Sequence, residues 1–251
     1  MATQKFLSQT AHRPYPLPSG PWILTQWWRD LLFAHWPVNP TAIAHLIPPA
    51  LELDLIDGMA WVAIVPFRMT GIRARFTPPL PGLSQFPELN LRTYVRPRQG
   101  RVKDPGVYFW TLEASNPIAV LAARRLFHLP YRHARMQCVQ RDGWIEYASH
   151  RTHSGEQPAD FIARYRPTVP AKPSALLQWL TERYCLYTTN AASQLYQGQI
   201  HHRQWTLYEA EAIFNANTLA GASSIALSGM APLLHFCREI EVAIWALHKL
   251  D

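Results

Sequence analysis

No apolar stretch in this chain reaches the roughly 18 residues that a membrane-spanning helix needs. The reading therefore includes no membrane partner. Cysteine is scarce: Cys138, Cys185 and Cys237 are the three present. They are odd in number, widely spaced and without a CxxC pair, which argues against a disulfide framework or a structural zinc site. Reduced, buried thiols are expected instead. Charge is also low. Charged residues make up 16% of the chain, against roughly 25% in an average soluble domain. The net charge of +7 sits on scattered arginines rather than a dense basic run, so a nucleic-acid partner is not expected. The amino terminus, "MATQKFLSQTAHRPYPLPSG", lacks an apolar core; it is no signal peptide, and a cytoplasmic location is expected. Glycine, at 11, is half as common as proline, at 22. Many short extended elements joined by rigid turns fit that balance better than a helical bundle does.

What the chain does have is apolar bulk. With 48% hydrophobic residues in 251, one large domain can build a sizeable core. Residues 1–21 read as an extended arm and 22–251 as the domain. The fold expected is α+β, mainly β, with two or three helices. "WILTQWWRDLLFAHWPV" suits a helix or a long strand. Asn39 and Pro40 open a short helix that Pro48 ends. Asp57-Gly58 marks a hairpin between "LELDLI" and the apolar run after it. "ELNLRTYVR" alternates: Leu89, Leu91, Thr93 and Val95 share one face, and Glu88, Asn90, Arg92, Tyr94 and Arg96 the other. "GVYFWTLEAS" is a strand. Asn116 and Pro117 start a helix over "NPIAVLAARRLFHL", with Ile118, Leu121, Ala122, Arg125 and Leu126 near one face. Three consecutive strands, a second helix over "SALLQWLTERY" and further short strands follow.

The order of these segments resembles the YqjF-like family of uncharacterised conserved proteins. The resemblance runs from about Trp28 to Trp205. It is carried by "RDLLFAHWPVNPTAIAHLIPPALELDLIDGMAWVAIVPFRM", "FPELNLRTYVR", "GVYFWTLEASNPIAVLAARRLFHLPYRHARM", "ERYCLYTTN" and "HHRQWTL". That family resembles a branch of the acetoacetate-decarboxylase-like superfamily. The resemblance implies a curved, cone-like antiparallel β barrel with a ligand cavity inside. In those decarboxylases a helix leads to "PKK": the first lysine forms a Schiff base, and the second lowers its pKa. Here Arg124 matches the motif arginine and Pro130 the proline. Tyr131 and Arg132 replace the two lysines. A phenol cannot condense with a ketone to an iminium, and a guanidinium stays protonated. Lys172, in "PAKPSA", lies in the wrong context. Schiff-base decarboxylation is therefore not expected.

The resemblance implies that Arg29 binds a substrate carboxylate and that Glu88 is a superfamily glutamate. Arg29 paired with Glu88 is the sharper form of that idea; an arginine that stacks among aromatics is the plainer one. Arg132 facing the cavity would give a bidentate anion site and Tyr131 a proton donor; otherwise both belong to a turn. Glu88, Asn90 and Arg92 would line the barrel interior, or else form a solvated strand face. His201 and His202 fit no metal pattern, because strand neighbours point to opposite faces. A turn or a partner contact suits them better. "SSIALSGM", residues 223–230, lacks G-x-S-x-G and reads as a loop. No metal or cofactor is expected. The function expected is binding, or acid–base transformation, of a small carboxylate or oxygen-rich metabolite in an internal polar cavity. The alternative is an interaction protein presenting Trp22, Trp27, Trp28 and Trp36 as a surface patch. Homo-oligomers are compatible with either.

Overall fold

The computed structural model describes residues 3–100, 102–227 and 229–250. The arm opens with α1 (Thr3–Leu7), and the first strand is β1 (Leu24–Val38). The aromatic-rich stretch is thus a strand rather than a helix. Asn39 accepts a hydrogen bond from Thr41 N and caps α2 (Pro40–Ile43). Next come β2 (Leu51–Leu53), β3 (Ala60–Ala74), β4 (Phe86–Pro97) and β5 (Gly106–Ala114). Asn116 accepts from Ile118 N and Ala119 N to start α3 (Pro117–Leu126). Strands β6 (Tyr131–Arg141), β7 (Trp144–Arg151) and β8 (Asp160–Pro170) precede α4 (Ala175–Thr181), which Ser174 caps. The chain closes with β9 (Cys185–Thr189), β10 (Leu195–His201), β11 (Tyr208–Asn217), β12 (Leu233–Ile244) and β13 (His248–Lys249). Ser228, within the expected "SSIALSGM" loop, lies outside the described residues, as do Met1, Ala2, Arg101 and Asp251.

One sheet closes on itself twice. Strands β5-β6-β7-β8-β11-β12-β1-β3-β4 form a nine-stranded barrel, closed by β4 pairing with β5. Strands β9 and β10 form a second route from β5 to β12, closing a seven-stranded ring. The two rings share β12, β1, β3, β4 and β5. The forks lie in β5 and β12. Val107 and Tyr108 of β5 pair with β9, whereas Leu112–Ala114 pair with β6. Both of these pairings are parallel, unlike the antiparallel pattern elsewhere. In β12, His235 and Phe236 pair with β11, while Ala243 and Ile244 pair with β10. At the first fork the backbones approach closely. A Cβ on Gly106 would lie 2.7 Å from Cys185 Sγ and 2.8 Å from its carbonyl oxygen.

The Asp57-Gly58 turn forms, both residues having positive φ, with Ile56 and Met59 bridged across it. It does not join β2 to β3, however. Strand β2 pairs with β4 instead, because β4 offers it the free edge beyond β3.

Alternation on the shared strands fills the two rings differently. Leu32, Ala34, Val62, Ile64, Leu89 and Leu91 point into the nine-stranded barrel and pack with Tyr147, Phe161, Tyr165 and Phe236. Leu31, Phe33, Val65, Phe67 and Met69 face the seven-stranded ring. On β1 the parity changes at a bulge. Asp30 has φ +54°, and the register against β3 shifts between Arg29 and Ala34. Trp28 therefore faces the seven-stranded ring before the bulge, and Leu31 faces it after.

The arm covers β10. Its Phe6 carbonyl and Arg13 guanidinium both meet His201, and Arg13 also donates to the Ile200 carbonyl. No helix among the described residues is long and apolar enough to cross a membrane.

Glu113 and Arg151 tie β5 to β7 over β6. Arg151 donates to Glu113 Oε1 from Nη2 (2.6 Å) and Nε (3.1 Å), and Thr111 donates to the same oxygen. The two side chains are 1% and 2% exposed. Arg151→Met would leave the carboxylate buried and uncompensated. It is expected to cost about 3–5 kcal/mol, read from urea unfolding, with part recovered when Glu113→Gln is added.

Candidate functional site

The seven-stranded ring encloses a cavity of about 350 Å³. Its polar groups come from five places, the first being Gln26 on β1. Glu88, Asn90 and Arg92 alternate inward from β4, Tyr131 opens β6, Thr181 and Arg183 end and follow α4, and His202 follows β10. The alternating polar face of β4 is therefore an interior face. The rest of the lining is overwhelmingly apolar, which corrects the expectation of a polar cavity: the polar groups are islands on an apolar wall.

Glu88 is 4% exposed. Burial raises its carboxyl pKa to about 8, and the hydrogen bond from Tyr131 only partly offsets that rise. Tyr131 Oη lies 2.6 Å from Glu88 Oε2. Burial and the neighbouring carboxyl hold the phenol well above its ordinary pKa. At neutral pH the pair is thus uncharged, with the phenol donating to the carboxyl oxygen. Tyr147 reaches from the nine-stranded barrel and donates to the Glu88 backbone carbonyl at 2.6 Å, which anchors this part of β4.

Arg92 is buried and meets no carboxylate within ion-pair distance among the described residues. Its guanidinium carbon lies 5.3 Å from the Phe33 ring centre and 5.9 Å from that of Tyr94, and its Nε has no hydrogen-bond partner. Arg183 is different: it pairs with Asp54 at 2.6 Å. Tyr94 donates to the Leu180 carbonyl, so His35 Nε2–H must donate to Tyr94 Oη, 2.7 Å away. Desolvation keeps His35 neutral, as it does His202, whose pKa falls to about 3. The cavity therefore carries an excess positive charge, located at Arg92. Asn90 Oδ1 and His202 Nε2 are also buried without partners.

Two expected ligands lie elsewhere. Arg29 pairs with Glu239 and donates to Thr70 Oγ1 at 3.0 Å. It neither lines the cavity nor approaches Glu88, because it neighbours inward-facing Trp28 ahead of the bulge. Arg132 neighbours inward-facing Tyr131 on a strand, so it points outward. It pairs with Glu156 at 2.8 Å and donates to the Trp110 and Pro130 carbonyls. Arg124 donates to the Tyr131 carbonyl and steadies the strand start. Pro-Tyr-Arg is thus the entry to β6, with one residue facing the cavity and the other outward.

The sequence reading passed over Arg183, and it placed His202 in a turn or partner contact. His202 is fully buried, stacked on Tyr184 and tilted against Trp205. Its adjacency to His201 carried one usable signal, that alternation must send one ring inward. Among the described residues, no cluster of three or more His, Cys, Asp or Glu side chains is arranged to hold a metal ion. The tryptophans do not form a surface patch: Trp36 is buried, Trp28 lines the cavity, and Trp22 and Trp27 are half-buried.

The model of the DUF2071 family, uncharacterized conserved proteins, matches residues 25–241. The chain belongs to that family. It is 46% identical over 236 residues to the uncharacterized protein YqjF of Bacillus subtilis (strain 168), covering 93% of this chain and 95% of that one. Among solved structures it is similar to acetoacetate decarboxylase from Legionella pneumophila (TM-score 0.62, 14% identity, 97% and 93% of the two chains). It is also similar to the enduracididine biosynthesis enzyme MppR complexed with pyruvate (TM-score 0.63, 14% identity, 95% and 93%). At these identities the DUF2071 chain shares their fold. The expected family and cone-like barrel are thus confirmed.

The raised pKa of Glu88 has a definite sign for stability. The folded protein keeps this proton up to about pH 8, whereas an unfolded glutamate loses it near pH 4.3. Stability should therefore fall as pH rises between those values. Glu88→Gln should remove that slope and be the more stable protein at pH 9, in urea titrations across pH.

Proposed function

We propose that this DUF2071 protein binds a small carboxylate at Arg92 and holds it beside the Glu88–Tyr131 pair. The observation that carries this reading is the buried guanidinium without a counter-ion. Leaving a charge unpaired in an apolar interior costs several kcal/mol, and an anionic ligand offsets that cost. Neutral Glu88 and Tyr131 add proton donors without adding a repelling negative charge. Such a pair can protonate an enolate-like or carbonyl oxygen, so acid–base chemistry is the reaction class that fits.

Schiff-base chemistry is not part of this proposal. Among the described residues, none that lines the cavity is a lysine. Pyruvate in MppR supports the choice of small carboxylates as probes, although that protein is related through its fold only.

Arg92→Met is expected to act in two opposite directions. It should raise the melting temperature of the unliganded protein, because it removes an uncompensated buried charge. It should also weaken carboxylate binding by about 30-fold or more, measured by calorimetric titration with ligands first found by thermal shift against carboxylates and β-keto acids. Equal carboxylate affinity in the two proteins would rule out Arg92 as the anion site. In parallel, borohydride treatment with acetoacetate should leave the intact mass unchanged; a reduced adduct would restore the iminium route.

A further inference from the structure

The anion site accounts for only a small part of the cavity. A space of about 350 Å³ holds roughly a dozen water-sized groups at about 30 Å³ each. A carboxylate fills three of them. Apart from the polar side chains already named, the wall offers Val65, Phe67 and Met69 from β3 and Val107, Phe109 and Leu112 from β5. A short, oxygen-rich acid at Arg92 would leave most of this apolar space without contacts, which forfeits packing energy.

The cavity's rim has the same character. Of all its lining residues, the exposed ones are Ile118 and Ala122, both on α3. This helix turns Val120 inward and leaves Ile118, Leu121 and Leu126 exposed. The apolar face expected from its sequence thus looks outward at the cavity entrance. Toward the cavity, α3 presents Ile118 at the rim together with the small side chains Ala119, Ala122 and Ala123. An apolar lip therefore leads into an apolar chamber whose unpaired charge is a single buried cation.

We infer that the ligand is an amphiphilic monocarboxylate with an unbranched apolar body of about eight to ten carbons, its head at Arg92 and its body against β3, β5 and α3. This inference rests on the reading of Arg92 as the anion site. It narrows the expected ligand class from oxygen-rich metabolites to fatty-acid-like ones.

The test is calorimetric titration of the full chain with unbranched carboxylates from acetate to dodecanoate, below their micellar concentrations, with 1-octanol as the uncharged control. The dissociation constant is expected to tighten about fourfold per added methylene up to roughly decanoate, and then level off as the chamber fills. Octanoate should bind more tightly than octanol, and Arg92→Met should erase that difference. Ala123→Leu, which narrows the chamber at the helix, should move the optimum to shorter chains; this separates occupancy of the cavity from adsorption at the lip. Affinity that is flat or falls with chain length would overturn the amphiphile and leave the anion site standing. Equal binding of octanol and octanoate, unaffected by Arg92→Met, would overturn the anion site while keeping the apolar chamber. No binding by any of the series would overturn both.

Discussion

Everything in this molecule depends on a wall of strands that must satisfy two interiors at once. In an ordinary barrel one face of each strand is buried and the other meets solvent. Here β1, β3 and β4 have a barrel on each side, so both alternating sets of side chains are interior. This explains why every residue of β4 from Glu88 to Val95 is buried. It also explains why polar residues on that strand do not mark a solvated face. Leu89 and Leu91 complete a packed core, while Glu88, Asn90 and Arg92, one position out of phase, meet a chamber that is not filled. The backbone of one strand thereby links the packing of the first ring to the lining of the second.

The double closure also explains why so many titratable groups are perturbed in one direction. The arm, α3, α4 and the two rings keep water from Glu88, His35, Tyr131 and His202 together. Desolvation favours the neutral form of each, and each is shifted accordingly. Arg92 stands apart from these groups as a cation that no carboxylate among the described residues meets. The result is a chamber whose charge is set by a single residue, rather than by a balance of acids and bases.

Much of the frame was legible in the sequence because its signals are local. Asn39-Pro40 and Asn116-Pro117 announced helix starts, and each asparagine caps the helix expected of it. The alternation of Glu88 to Arg92 left an inward polar row and a solvated strand face both open, and only the second closure of the sheet decides between them. The displaced residues share a cause that no local pattern contains. Arg29 faces away because one extra residue at Asp30 changes the parity of β1, and a bulge is set by the partner strand's register. Arg132 faces outward because Tyr131 faces inward; motif matching to a pair of lysines carried no such exclusion. Arg183 and His202 come from segments far from β4 in sequence, and only the second closure, through β9 and β10, brings them to the same chamber. The outward apolar face of α3 was legible as a face, but not as an entrance.

The three alanines of α3 give the architecture a form of modularity. The strands of the shared wall are constrained from both sides, so a change in side-chain size there is felt in two interiors. The helix has one small face toward the chamber and is stitched to the barrel at its ends, by the Asn116 cap, the Asn116 bond to the Gly82 carbonyl and the Arg124 bond to the Tyr131 carbonyl. None of these contacts uses the alanine side chains. A substitution in this helix can therefore resize the chamber while the doubly closed sheet stays as it is.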